Sequence, residues 1–346
     1  MIDAQAYILR ERGSVPQLED IKVSEDLSRG QVLVRVIYSA LCATQMEEIY
    51  VSGRNSKFMP HLFGHEGVGV IEQVGPDVTH RKVGETCVIH WRESSLGLDA
   101  SPGIYSSGPN LVNSGKTVTF STHIVVPENR LTLAPAKIPL HLAPLFGCSL
   151  STGWGSLAKV GLFSPPEPVI VTGLGAVGSF AALSAKLLGS KYVIGIDPKS
   201  SIADSWRERG LDAFAESIEA ALEQLDLVHC LPELIIETSG DPDVIEKLSA
   251  LAGRSSRLIL VGMPKEGIRP RVDAQNLLDG LTLKGSNGGS VDPALDFQII
   301  SKLFSQTLNN MGSDAVKTLR LNELDQAVRE FRSGNHLRIV LSMAPN

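Results

Sequence analysis

Cysteine is scarce: the chain of 346 residues has four, Cys42, Cys87, Cys148 and Cys230. So few thiols over such a length exclude a disulfide framework and leave them as metal ligands or small buried residues in a reducing compartment. An excess of one charge is also lacking. The formal net charge is −6, and no block of like charges reads as a basic arm or an acidic tail. That balance argues against nucleic acid as the main partner. Long hydrophobic runs are missing too: EPVIVTGLGAVGSFAAL is interrupted by glycines and is too short to span a bilayer. No membrane partner is expected. The opening MIDAQAYILRERG lacks the basic-then-apolar order of a signal peptide, so a cytoplasmic protein is expected. Internal repeats and low-complexity segments are absent.

What remains is the composition of an ordinary globule. Hydrophobic residues make up 43% and charged residues 20%, and the length suffices for two domains with a core each. The first 145 residues hold short β-type runs (QAYIL, QVLVRVIYSALC, EGVGVIEQVG, ETCVIHW, FSTHIVVP) spaced by turn residues, which predicts a β-rich module. Residues 92–117 are mostly small and polar and read as an exposed excursion. From about residue 150 apolar strands alternate with helical stretches: PVIVTG, AVGSFAALSAKLLG, KYVIGID, ELIIETSG, PDVIEKLSALAG, RLILVG, LTLKGS. This alternation predicts βαβ units and an α/β fold with a doubly wound parallel sheet. The tail after residue 290 carries two helical stretches and a last strand, LRIVLSM, which extends that sheet or returns to the first module.

The strongest local motif is Gly173-Leu174-Gly175-Ala176-Val177-Gly178, directly after a strand and opening a helix. Its first glycine permits a tight turn, the second lets backbone approach a pyrophosphate, and the third allows close packing of helix on strand. The helix N-terminus adds a favourable dipole. Nineteen residues past Gly178, at the end of the next strand, stands Asp197, where a carboxylate meets the ribose hydroxyls of the adenosine half. A carboxylate there repels a 2′-phosphate, so NAD is favoured over NADP, although Lys199 lies two residues on.

His65 sits in LFGHEGVGV, at the mouth of an apolar strand. A lone histidine in such a place is more often structural than a ligand. Two cysteines raise the metal reading: Cys42 ends RVIYSALC, and Cys148 lies in APLFGCSLSTGWG, where the β-rich part gives way to the nucleotide part. Two thiolates and one imidazole make a tetrahedral zinc site with one position open, the arrangement of catalytic zinc. Cys87 and Cys230 have apolar neighbours and read as small core residues.

Taken in order, CAT after a strand, GHEGVGVIEQVGPDV, GCSLSTGWG, VTGLGAVG followed by IGID, and LRIVLSM resemble the zinc-dependent alcohol dehydrogenases of the medium-chain dehydrogenase/reductase superfamily, along essentially the whole chain. The resemblance implies a GroES-like catalytic domain from residues 1–149 and 291–346, a Rossmann domain from 150–290, and a homodimer or homotetramer. It implies one catalytic zinc on Cys42, His65 and Cys148, with Glu66 behind the metal and Thr44 starting a proton relay. Gly173, Gly175, Val177, Gly178 and Asp197 match the cofactor site, and Arg338 matches an arginine near the pyrophosphate. The implied activity is hydride transfer between a small-molecule alcohol or carbonyl substrate and NAD(H).

Departures from the family pattern are informative. Residues 92–117, where relatives hold a structural zinc on four cysteines, contain no cysteine, so a second zinc is not expected. Ala43 occupies the place of a common pyrophosphate-binding basic residue, Gln45 that of an aspartate behind the metal ligands, and Glu47 that of a relay histidine. Glu47 reads either as a relay carboxylate or as a solvated helix residue. Residues 46–61 and 90–110 are expected to line the substrate pocket and offer Arg54, Lys57, His90, Trp91, Arg92 and Glu93. So polar a wall points to a polyol, a sugar or another hydroxylated compound, an anionic one included; the alternative is that these groups face solvent and the pocket is small and apolar. The rival readings are a zinc-free enone or quinone reductase of the same superfamily and a catalytically silent NAD-binding redox sensor.

Overall fold

Runs with apolar residues at alternate positions become the strands of a first unit, which joins Met1–Cys148 to Asp292–Asn346. The structure, a computed structural model, describes residues 1–50, 58–199, 210–227, 233–252, 255–264, 267–313 and 315–343. Arg54, Lys57 and Cys230 lie outside them.

The first unit holds β1 (Ile2–Leu9), β2 (Gln17–Val23), β3 (Gln31–Ala40), β4 (His61–Leu62), β5 (Glu66–Val74), β6 (Thr86–His90), β7 (Tyr105–Ser107), β8 (Asn110–Val112), β9 (His123–Pro127) and β10 (Leu131–Leu133). Five of them form an antiparallel sheet in the order β4-β1-β2-β7-β8. The others join β17 (Val316–Arg320) and β18 (Arg338–Ser342) in a seven-stranded sheet, β10-β6-β5-β3-β18-β17, with β9 also on β3. The last strand therefore returns to the first unit, where Val340 pairs with Ala40 of β3. Between β3 and β5 the register shifts twice. Gly69 belongs to this irregular stretch, because a Cβ there would lie 2.5 Å from the Arg35 carbonyl.

Residues 92–117 depart from the exposed excursion that their polarity predicts. Tyr105 and Val112 are buried, and β7 and β8 extend the smaller sheet. The Tyr105 hydroxyl accepts from the Val125 amide at 2.8 Å and lies 3.2 Å from the Val125 carbonyl. The buried Glu128 carboxylate gathers three backbone amides, from Thr79 (2.9 Å), His80 (2.6 Å) and Leu98 (2.9 Å). A fully buried carboxylate needs such donors to offset its lost hydration. Cys87 is the small core residue its neighbours suggest: it is buried, and burial pushes its thiol up to about 12.

The second unit spans Ser149–Val291. Its strands are β11 (Val169–Thr172), β12 (Val193–Ile196), β13 (Ala213–Ala215), β14 (Leu234–Glu237), β15 (Arg257–Leu260) and β16 (Thr282–Gly285). All pair in parallel, in the order β13-β12-β11-β14-β15-β16. Counted from β11 this is the 3-2-1-4-5-6 order of a Rossmann sheet, reversing direction between β11 and β14. The runs VIVT, VIGI and LIIE are buried throughout, as both faces of a parallel sheet require. The α/β class is thus a GroES-like β-rich unit plus a doubly wound sheet. Among the described residues no helix is long and apolar enough to cross a membrane.

Candidate active site

In the first unit, β3 delivers Cys42 to the entrance of helix α1 (Ala43–Tyr50), and β4 and β5 flank His65. Cys148 follows a short helical turn, Leu140–Gly147, that packs over β5. A Cβ on Gly147 would lie 2.6 Å from the Ile89 carbonyl and 3.2 Å from the Glu66 Cβ, so the turn could not close with a larger residue. These elements bring one ligand atom each of Cys42, His65, Glu66 and Cys148 within 4.8 Å of one another.

Gln45 ties two members of this cluster together. Its amide oxygen accepts from the Cys42 N–H at 2.6 Å, and its amide nitrogen lies 2.8 Å from His65 Nδ1. Gln45 is buried, so this neutral amide fixes the imidazole without adding charge. Behind the cluster, Arg338 donates to Glu66, and both are buried. The resemblance placed Arg338 near a pyrophosphate. Its guanidinium, 3% exposed, is held among the cluster residues by the Glu66 carboxylate.

The electrostatics follow from crowding. The Cys42 thiol is held well below its ordinary value, first by the hydrogen bond from Cys148, and the same contact drives the Cys148 thiol up. Burial is the largest single influence on His65 and works against its charged form, yet the Cys42 charge, the hydrogen bond to Cys42 and the Glu66 charge together outweigh it and raise the imidazole. Burial pushes Glu66 up to about 7 against the pull of Arg338. Glu66 Oε2 is buried and has no hydrogen-bond partner among the described residues. Two sulfurs, an imidazole and a carboxylate oxygen facing one another form a donor set matched to a borderline-soft dication.

Thr44 stands two residues beyond Cys42 on α1, exposed. Of the other expected pocket residues, Arg54 and Lys57 lie outside the described residues, and His90 pairs with Glu66 across β5 and β6. His90 is buried: its Nδ1–H donates to the Arg92 carbonyl at 2.7 Å, and Nε2 accepts from the Thr132 hydroxyl at 3.0 Å. Arg92 stacks on Trp91, while Glu93 pairs with Arg130 at 3.6 Å. Glu47 lines a shallow depression with Met46, Tyr50, Phe331 and Arg332. Its neighbour Glu48 is the carboxylate acted on by the charges of His65 and Cys42. Sequence reasoning weighed Glu47 alone and left Glu48 unremarked, because it could not set the rotation of α1.

In the second unit the glycine turn joins β11 to α2 (Ala176–Leu187). Gly173 has φ +79°, a left-handed conformation, and a Cβ there would lie 2.9 Å from the Ser239 amide. A Cβ on Gly178 would run into the Gly173 carbonyl. Gly175 differs from both: a Cβ there would meet nothing within 4 Å, so packing within the chain does not require glycine at that place. Its backbone is open to an approaching group, as the pyrophosphate role needs. Val177 is half-buried in the first turn of α2. Asp197 closes the turn, accepting from the Leu174 amide at 2.8 Å and from the Lys199 amide at 2.9 Å.

Residues 28–136 match the family model of the alcohol dehydrogenase GroES-like domain, and residues 176–306 match that of the zinc-binding dehydrogenases. A putative alcohol dehydrogenase D of Mycobacterium tuberculosis is 25% identical over 365 aligned residues, covering 97% of this chain and 98% of that protein. Alcohol dehydrogenase 6 of Peromyscus maniculatus is 24% identical, covering 99% and 98%. The crystal structure of benzyl alcohol dehydrogenase from Acinetobacter calcoaceticus superposes with a TM-score of 0.87 at 24% identity, over 99% of this chain and 100% of that one. Both units are thus matched in chain order and along nearly their whole length, and the chain belongs to the zinc-type alcohol dehydrogenases of the medium-chain dehydrogenase/reductase superfamily.

Proposed function

We propose that this alcohol dehydrogenase is zinc- and NAD-dependent and acts on polar hydroxylated alcohols or the corresponding carbonyl compounds. The observation that carries the reading is the convergence of Cys42, His65, Glu66 and Cys148 within 4.8 Å. Cys42, His65 and Cys148 would hold one zinc per chain, and Glu66, kept in place by Arg338, would sit behind it. When bound, zinc supplies a Lewis acid that makes an alcohol easier to deprotonate, and NAD supplies the hydride acceptor.

The chain's own residues do the remaining work. Gln45 orients His65 and Cys42 through its two amide contacts. Thr44 takes the alcohol proton and, being exposed, hands it towards solvent. Gly173, Gly175, Val177 and Gly178 receive the pyrophosphate over the open backbone at Gly175. Asp197, half-buried at the turn, accepts from ribose hydroxyls and repels a 2′-phosphate, which favours NAD over NADP.

Elemental analysis of the purified protein beside Cys148→Ala tests the metal assignment. We expect close to one zinc per chain in the wild type and its loss in the variant. Zinc absent from the wild type under metal-replete conditions, or retained in full by Cys148→Ala, refutes it.

A further inference from the structure

The first peptide plane of the glycine turn, between Gly173 and Leu174, is held from both sides. A trans peptide points its carbonyl and its amide in opposite directions, so a partner on each side fixes its rotation. On one side the Leu174 amide donates to the Asp197 carboxylate at 2.8 Å. On the other the Thr238 hydroxyl donates to the Gly173 carbonyl at 2.7 Å. The cofactor reading above uses Asp197 and leaves Thr238 without a role.

Thr238 directly follows β14, next to β11, where the order of the sheet reverses. Its amide donates to the Thr172 carbonyl at 2.9 Å, and its hydroxyl lies 2.9 Å from that same oxygen. A hydroxyl has one proton, and the shorter contact directs it to Gly173. Glu237 keeps the residue in place. Its buried carboxylate accepts from the Ser239 amide at 2.7 Å, from the Ser239 hydroxyl and from the Gly240 amide at 3.1 Å, which fixes the bend over 238–240. The Glu237 carbonyl in turn accepts from the Val261 and Gly262 amides at 2.8 and 3.0 Å. Little room is left around the hydroxyl: a Cβ on Gly178 would lie 2.6 Å from Thr238 Oγ1. The same oxygen therefore reaches both the turn and the start of α2.

We propose that Thr238 is a positioning residue of the cofactor site, whose hydroxyl sets the Gly173–Leu174 peptide for the pyrophosphate and keeps Asp197 aimed at the ribose; this rests on the dinucleotide reading above. Glycine offers the widest range of backbone angles, so a turn that begins on Gly173 needs a partner to select one of them. Were the Gly173 carbonyl to rotate away from Thr238, the Leu174 amide would swing off Asp197 with it. The path of the chain into Gly175, whose backbone lies open, would change as well. Thr238 thus orders the turn before the cofactor arrives, which lowers the cost of ordering it on binding. A hydroxyl that only joined the ends of two strands would stabilise the sheet and leave the affinity of the folded protein as it was.

The test compares the full chain with Thr238→Ala and with Thr238→Ser, which keeps the hydroxyl. Should Thr238→Ala unfold, Thr238→Cys takes its place, because a thiol is a weak donor. Fluorescence titration with NADH and calorimetric titration with ADP-ribose, which carries the pyrophosphate without the nicotinamide, read binding. Denaturant unfolding establishes that each protein is folded. We expect the alanine variant to bind both ligands about tenfold more weakly or worse, and the serine variant to stay within about threefold of wild type. Unchanged affinity in the alanine variant, an equal loss in the serine variant, or a loss confined to NADH overturns the proposal and leaves the cofactor reading intact. Wild-type protein that binds none of NADH, NADPH and ADP-ribose overturns the cofactor reading, and the role of Thr238 with it.

Discussion

Replacing His90 with glutamine removes a titrating group from the interior of the first unit while keeping a donor for the Arg92 carbonyl and an acceptor for the Thr132 hydroxyl. His90 is fully enclosed, and burial pushes its pKa down from the ordinary 6.5 to about 3. In the folded protein the ring therefore stays neutral at mildly acidic pH, while in the unfolded chain it takes up a proton below 6.5. The unfolded state binds more protons between these values, so stability rises with pH there. His90's contribution is fully present above pH 6.5 and drains away as pH falls towards 3. At pH 5.0 the unfolded chain is 1.5 units below 6.5, and at roughly 1.4 kcal/mol per unit the loss relative to pH 7.5 is about 2 kcal/mol. Denaturant unfolding of wild-type and His90→Gln protein at both pH values measures it, because losses from other groups cancel in the difference. The variant should lose about 2 kcal/mol less than wild type between pH 7.5 and 5.0. Parallel losses in the two proteins would show that His90 is solvated or already charged, and the argument from burial would fail.

Two other substitutions separate packing from binding. Gln45→Ala deletes the shared partner of the Cys42 amide and His65 Nδ1, and should weaken zinc by roughly 10–100-fold in a chelator competition. An affinity within twofold of wild type would exclude Gln45 from the metal site. Gly175→Ala adds a Cβ that meets nothing in the chain, so unfolding free energy should change by about 1 kcal/mol or less. NADH binding, followed by its fluorescence, should nevertheless fall at least tenfold, and unchanged binding would remove Gly175 from the cofactor site.

How much of this molecule can be read from its sequence depends on the range of the interactions involved. The parallel sheet is legible because strands buried on both faces write continuous apolar runs, as in VIVT and LIIE, and because the glycine turn is local. Cys42, His65 and Cys148 could be named as metal-ligand candidates from residue type and setting, whereas their convergence, with Cys42 and Cys148 106 positions apart, is set by the fold. Arg338 and Glu66 lie 272 residues apart, and no periodicity signals their pairing. Residues 92–117 misled because β7 and β8 have three residues each, too few for alternation to register, so Tyr105 and Val112 looked incidental. The contrast between Glu47 and Glu48 turns on the orientation of an eight-residue helix, which tertiary packing sets. His90 looked like a pocket residue by its type, whereas its two satisfied ring nitrogens mark it as interior.

The Glu128 carboxylate, with the amides of Thr79, His80 and Leu98 gathered around it, ties the cysteine-free stretch 92–117 at Leu98 to the turn at Thr79 and His80. A tether made of a carboxylate and amides cannot be oxidised, alkylated or stripped by a chelator. The architecture of this stretch is therefore insulated from thiol oxidants and from zinc starvation. If Cys42, His65 and Cys148 hold the zinc proposed above, both stresses would act at that site rather than on this stretch.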